Sequence, residues 1–164
     1  VKPRRTIRVA LWGGHEIGLV GNRSHVRKNF ADLETKEYKK DYNNLSAYFN
    51  VDIGPGSIRG VSIMGNEALR GILSEWIKPL RSLGMSHLFT TGPAHEAYKE
   101  VGLIGFYFNH DRKEIDDWNA HTNMDVYERL YPEGLTQAAV VLATFAYHAA
   151  MRDEKLPRIA PLPW

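Results

Sequence analysis

Apolar positions along this chain fall into short, strand-length runs that alternate with longer stretches of helical spacing. Residues 6–12 (TIRVALW) carry apolar side chains at both parities, the pattern of a strand buried on both faces. That run stops at Gly13-Gly14. Residues 17–29 set Leu19, Val20, His25 and Val26 at helical spacing and predict a helix. Residues 28–44 end in the most polar stretch, DLETKEYKKDYNN, and predict a helix end followed by loop. A second strand is expected over 47–52, stopped by Gly54-Pro55-Gly56, and a short third over 60–64.

Over 68–83, Leu69, Ile72, Leu73, Trp76, Ile77 and Leu80 form a near-continuous helical stripe behind Asn66 in the N-cap position. Pro79 lies inside the stripe and predicts a kink or break there. A strand over 86–90, a short helix over 95–101 and an aromatic strand over 104–109 follow. Residues 135–151 (LTQAAVVLATFAYHAAM) make the strongest helix signal, with Thr136 near its start. Strands alternating with helices argue an α/β fold, a three-layer sandwich around a mainly parallel sheet. The domain is expected to occupy 1–156, with an irregular, proline-rich tail over 157–164.

A chain of 164 residues suffices for one real core, and 43% hydrophobic with 24% charged residues is ordinary for a globular protein. The net charge of +2 gives no reason to expect a nucleic-acid or membrane partner. Lys2, Arg4, Arg5 and Arg8 cluster, which reads as a solvated strand edge. With no cysteine there is neither a disulfide framework nor a thiolate metal site, compatible with cytoplasm or periplasm alike. No run approaches the ~18 apolar residues that span a bilayer, and no signal peptide is visible. Because the chain opens on Val1, it reads as a piece of a longer protein.

Three side chains change the picture. Glu16 follows the first run and its Gly-Gly turn, Asp52 ends the run YFNVD, and His121 sits in the loop AHTNMD. Two carboxylates and an imidazole suit zinc, and strand ends are where open α/β sheets carry their sites. Each also has a plainer role: an acid near a helix N-terminus, a turn former before Gly-Pro-Gly, a loop histidine.

The segments KPRRTIRVALW, NVDIG, HTNMDVYERL and AAVVLATFAYHAAM resemble the co-catalytic di-zinc aminopeptidase family, in its carboxypeptidase Q-like (plasma glutamate carboxypeptidase-like) branch. The resemblance implies a phosphorylase/hydrolase-like fold truncated at its N-terminal side, the C-terminal part of a catalytic domain. It implies a zinc-dependent exopeptidase of aminopeptidase or dipeptidase type, acting on peptides through a metal-bound water, in a secreted or periplasmic setting. On this reading Glu16, Asp52 and His121 are metal ligands, while His15 stands where the family has its general-base glutamate. Asp125 is placed to orient the His121 ring, and His95, His110 and Trp118 fall on the substrate side. The loop around His95 carries Ala94 where relatives have an aspartate.

The family's first histidine ligand and its metal-bridging aspartate lie upstream of the matched segments. One weakly held zinc or none, and little turnover by the chain alone, are therefore expected. The alternative is a catalytically degenerate pseudopeptidase serving as a binding or scaffold domain. A weaker one is another metal-dependent hydrolase, such as an amidase, on the same scaffold.

Overall fold

A computed structural model describes residues 2–52, 54, 56–91, 96–111 and 121–159 of the chain. The strands are β1 (Tyr48–Asn50), β2 (Ile58–Ser62), β3 (His87–Phe89) and β4 (Gly105–His110). The helices are α1 (Val20–Asn29), α2 (Arg70–Ile77), α3 (Glu96–Lys99) and α4 (Pro132–Met151). The strands form one sheet in the order β1-β4-β2-β3. β1 runs parallel to β4 and β2 parallel to β3, whereas β2 and β4 are antiparallel. The expected α/β sandwich with a mainly parallel sheet is what the chain adopts.

Successive strand residues point to opposite faces, and β1 shows which helices lie where. Phe49 joins a cluster with Phe106, Phe108, Trp76 and Phe145, the face covered by α2 and α4. Tyr48 packs instead with Val26, Phe30, Tyr98 and Val101, the face covered by α1 and α3. A register shift between Ile58 and Gly60 lets Ile58 and Val61, odd in spacing, both reach the α2/α4 face. Gly60 is required at that point, because a Cβ there would stand 2.5 Å from the His87 carbonyl oxygen. Gln137 of α4 locks the start of β2 by accepting from the Ile58 amide and donating to the Ile58 carbonyl, each at 2.8 Å.

The helical stripe over 68–83 divides as its proline dictates. After a 3-10 turn at Glu67–Leu69, α2 runs to Ile77 and continues as a second 3-10 helix, Lys78–Leu83, with Pro79 in its first turn. Asn66 precedes this unit without capping it. Its side-chain amide donates to the Pro157 carbonyl at 2.7 Å, tying the end of the chain to the start of α2. α4 starts at Pro132, earlier than expected, because a proline is well suited to a first helical turn. At 20 residues it is long and apolar enough to cross a membrane by length and composition, which the apolar run alone did not suggest. Its inner face, Val141, Phe145 and Ala149, nevertheless lies in the core.

The expected strand over 6–12 is not formed. Ile7 is 48% exposed, Val9 89% and Leu11 94%, and no ladder joins them to the sheet. A strand exists only in a pair, and none of the four strands of the sheet lies against this run. Polar clips hold it instead. Arg5 donates to the carbonyls of Ala149, Arg152 and Asp153 at the C-terminal end of α4, and Arg4 pairs with Asp153. Trp12, the last residue of this run, is half-buried. Its indole N–H donates to the Tyr48 hydroxyl at 2.9 Å.

Candidate metal centre

β1 and β4 are parallel, so their C-terminal ends open on one edge of the sheet, and the antiparallel β2 begins there. Asp52 lies two residues beyond β1 at this edge. His15 and Glu16 arrive on the turn that carries the chain into α1. Gly14 takes φ +67° and Gly18 φ +102°, values that favour glycine. The Val20 and Gly21 amides close back onto the carbonyls of Gly14 and Gly13, each at 3.0 Å. Gly21 admits this fold-back, since a Cβ there would come within 2.7 Å of the Gly13 oxygen.

The turn delivers two consecutive side chains to two partners. His15 Nε2 lies 3.3 Å from Asp52 Oδ2, and His121 Nε2 lies 3.1 Å from Glu16 Oε2. The first pair is about two-thirds buried and the second mostly exposed. His121 reaches its place from a residue at φ +63°, in a turn where the Met124 amide donates to Thr122 Oγ1. Asp125 is exposed and its amide donates to the Thr122 carbonyl, while the His121 ring nitrogen meets Glu16.

These spacings bear on what the pairs could hold. Charge-assisted N–H···O bonds cluster at about 2.7–2.9 Å. Two ligands of one tetrahedral zinc, each ~2.0–2.2 Å from the metal, stand about 3.3–3.6 Å apart. The His15–Asp52 distance matches the edge of such a tetrahedron, and Glu16–His121 falls between the two regimes. The donors are imidazole nitrogens and carboxylate oxygens, which is zinc's ligand chemistry. Among the described residues, no three His, Asp or Glu side chains gather into a single ligand cluster.

Behind Asp52, Trp12 donates to the Tyr48 hydroxyl, which in turn donates to Asn50 Oδ1 at 2.7 Å. Burial raises the Tyr48 pKa, partly offset by the bond from Trp12, and the charge of Asp52 adds to the rise. The phenol therefore stays a neutral donor. Sequence reading passed over Tyr48 and Asn50. Their only signal is position, on the strand that leads to Asp52.

His110 ends β4 at this edge, its Nδ1 donating to the Gly56 carbonyl at 2.9 Å while its buried Nε2 has no partner among the described residues. Asp111 pairs with Arg59. His95 and Trp118, with Ala94, lie outside the described residues.

No family model matches the chain. The fold is similar to that in the crystal structure of a peptidase M28 precursor from Shewanella amazonensis SB2B, with a TM-score of 0.77. That likeness covers 99% of this chain and 35% of the other, at 24% identity. In sequence, the chain is 26% identical to carboxypeptidase Q of Mus musculus and 25% identical to that of Homo sapiens, each over 96% of its length. The similarity to carboxypeptidase Q thus runs over nearly the whole chain, in line with the resemblance of its motifs. The chain spans about a third of the length of these relatives, 32% in each case.

Proposed function

We propose that this chain provides part of the catalytic domain of a zinc-dependent exopeptidase of aminopeptidase or dipeptidase type. The observation that carries the proposal is the meeting of two imidazoles and two carboxylates, in two pairs, at one sheet edge of a peptidase-like fold. Glu16 and His121 would hold one zinc, and Asp52 stands ready for a second. Bound zinc supplies an acidified water and a positive charge to polarise a peptide carbonyl.

The chain's own residues orient and anchor. Tyr48, fixed by Trp12 and Asn50, anchors the strand that leads to Asp52. The Gly13–Gly21 fold-back fixes His15 and Glu16 side by side. A peptide substrate and a secreted or periplasmic setting accompany this reading.

A second reading is a pseudopeptidase that binds without turnover. His15 favours it, because the residue at the general-base position is an imidazole already engaged with Asp52. One assay tests the metal reading, and turnover in it would exclude the second reading. The purified chain is given zinc and challenged with aminoacyl and dipeptide substrates. It should bind zinc, more weakly after Glu16→Gln, and hydrolyse little. Robust hydrolysis abolished by a chelator would overturn the expectation of inactivity, and absence of zinc binding would overturn the metal reading.

A further inference from the structure

Residues 6–12 have the composition of a strand buried on both faces, yet the four-stranded sheet leaves them out. Val9 and Leu11, 89% and 94% exposed, are the most exposed large apolar side chains among the described residues. The backbone is as open as the side chains. No backbone hydrogen bond joins residues 6–12 to any other described residue. The run has neither bend nor turn between the bends at Arg4-Arg5 and at Gly13. It is anchored at both ends, by Arg5 on the α4 carbonyls and by Trp12 on Tyr48. Unpaired amides and carbonyls along an anchored, unbent segment are a template for another strand.

We propose that two copies of this chain pair through residues 6–12, antiparallel about a two-fold axis at Val9. The sequence complements itself in that register. Val9 meets the partner's Val9 and Ile7 meets the partner's Leu11 on one face of the ribbon. On the other face Arg8 meets the partner's Ala10, so the only charge within the run has no like charge opposite. Beyond the ladder, Arg4 and Arg5 fall toward Gly14 and Gly13, which have no side chains to collide with them. A parallel, in-register pair would instead set Arg4, Arg5 and Arg8 each against its own copy, which like charges disfavour. The antiparallel contact uses the same patch on both copies and therefore closes at two. Seven residues from each copy are few beside the about 20–30 of a standard interface, so the dimer is weak.

The test is sedimentation of the purified chain from about 10 µM to about 1 mM, the range of weak association. Hydrogen exchange is followed at both ends of that range. A monomer–dimer equilibrium is expected, with the amides of residues 6–12 gaining protection as concentration rises. Val9→Lys places two ammonium groups at the dyad and should weaken association about tenfold or more. Ala10→Glu sets a carboxylate opposite the partner's Arg8, twice in each dimer, and should tighten association severalfold. Val140→Lys, on the exposed side of α4, should leave association unchanged. All three positions are exposed, so each variant should keep the wild-type far-UV circular dichroism.

A chain that stays monomeric throughout overturns the proposal. So does a dimer that Val9→Lys leaves intact, and its loss on Val140→Lys would move the interface to the outer face of α4. If Val9→Lys dissociates the dimer but Ala10→Glu weakens it too, the runs pair in parallel and the antiparallel ribbon falls. Growth past two copies with rising concentration would overturn the closed, two-fold contact.

Discussion

The α4 side of the molecule and the segment over residues 2–19 are built on different principles. Phe145, Val141, Phe106, Phe108 and Leu73 are each at most 1% exposed and interlock across α4, the sheet and α2. The N-terminal segment leaves Val9 and Leu11 in solvent and is held by Arg5 at one end and Trp12 at the other. Hydrophobic burial sets the fold, whereas a few directional hydrogen bonds set the candidate site. Substitutions should therefore separate stability from site geometry.

The largest effect is expected from Phe145→Ala, which empties a position contacted edge-on by Phe49, Trp76 and Phe108. A loss of roughly 3–5 kcal/mol is expected by chemical denaturation. A loss under ~1 kcal/mol would mean the core is looser than its burial indicates. Arg5→Ala should cost less, about 1–2 kcal/mol, since it removes donors to carbonyls at an exposed helix end. Its signature is local: hydrogen exchange should accelerate over residues 2–19 while the amides of α4 and β4 keep their protection. Equal acceleration everywhere would show that the segment belongs to the global folding unit.

Trp12→Phe keeps the ring contact with His25, at 5.0 Å, but deletes the donor to Tyr48. A cost of about 1 kcal/mol is expected, with weaker metal binding at the Asp52 side and little change at Glu16–His121.

The smallest effect concerns pH. Burial first, then Arg8 and Lys28, holds the His25 pKa below its usual 6.5. The unfolded chain therefore binds this proton more readily than the folded one. Stability from this source is full above about pH 6.5 and is lost as the pH falls below it. Urea unfolding of wild type and His25→Gln between neutral and mildly acidic pH should show a shallower decline for the variant. Parallel declines would assign the acid sensitivity to other groups.

What the sequence made legible follows the same division. The break at Pro79, the aromatic strand β4 and helix α4 were readable because neighbours in sequence determine them. The run over 6–12 looked like a strand because its composition is that of one, but pairing depends on a second segment that the run does not encode. Glu16, Asp52 and His121 were visible as donors of the right kind. That Asp52 would face His15 and that Glu16 would face His121 was not visible, since each pairing joins residues far apart in the chain. Likewise Asn66 looked like a cap, and only the return of the chain at Pro157 drew its amide elsewhere.

The clip made by Arg5 has a kinetic consequence. It joins residue 5 to carbonyls 144, 147 and 148 positions away, so it closes almost the whole chain into a ring. Closing so large a ring carries an entropy cost that only the finished core can offset, because the core brings the two ends together first. During refolding the ring should shut after α4 has docked on the sheet, and on mild destabilisation it should open before the core does. His15 and Glu16 lie beyond the Trp12–Tyr48 bond, so opening the ring frees the residues before Trp12 and leaves the pairs at the sheet edge in place.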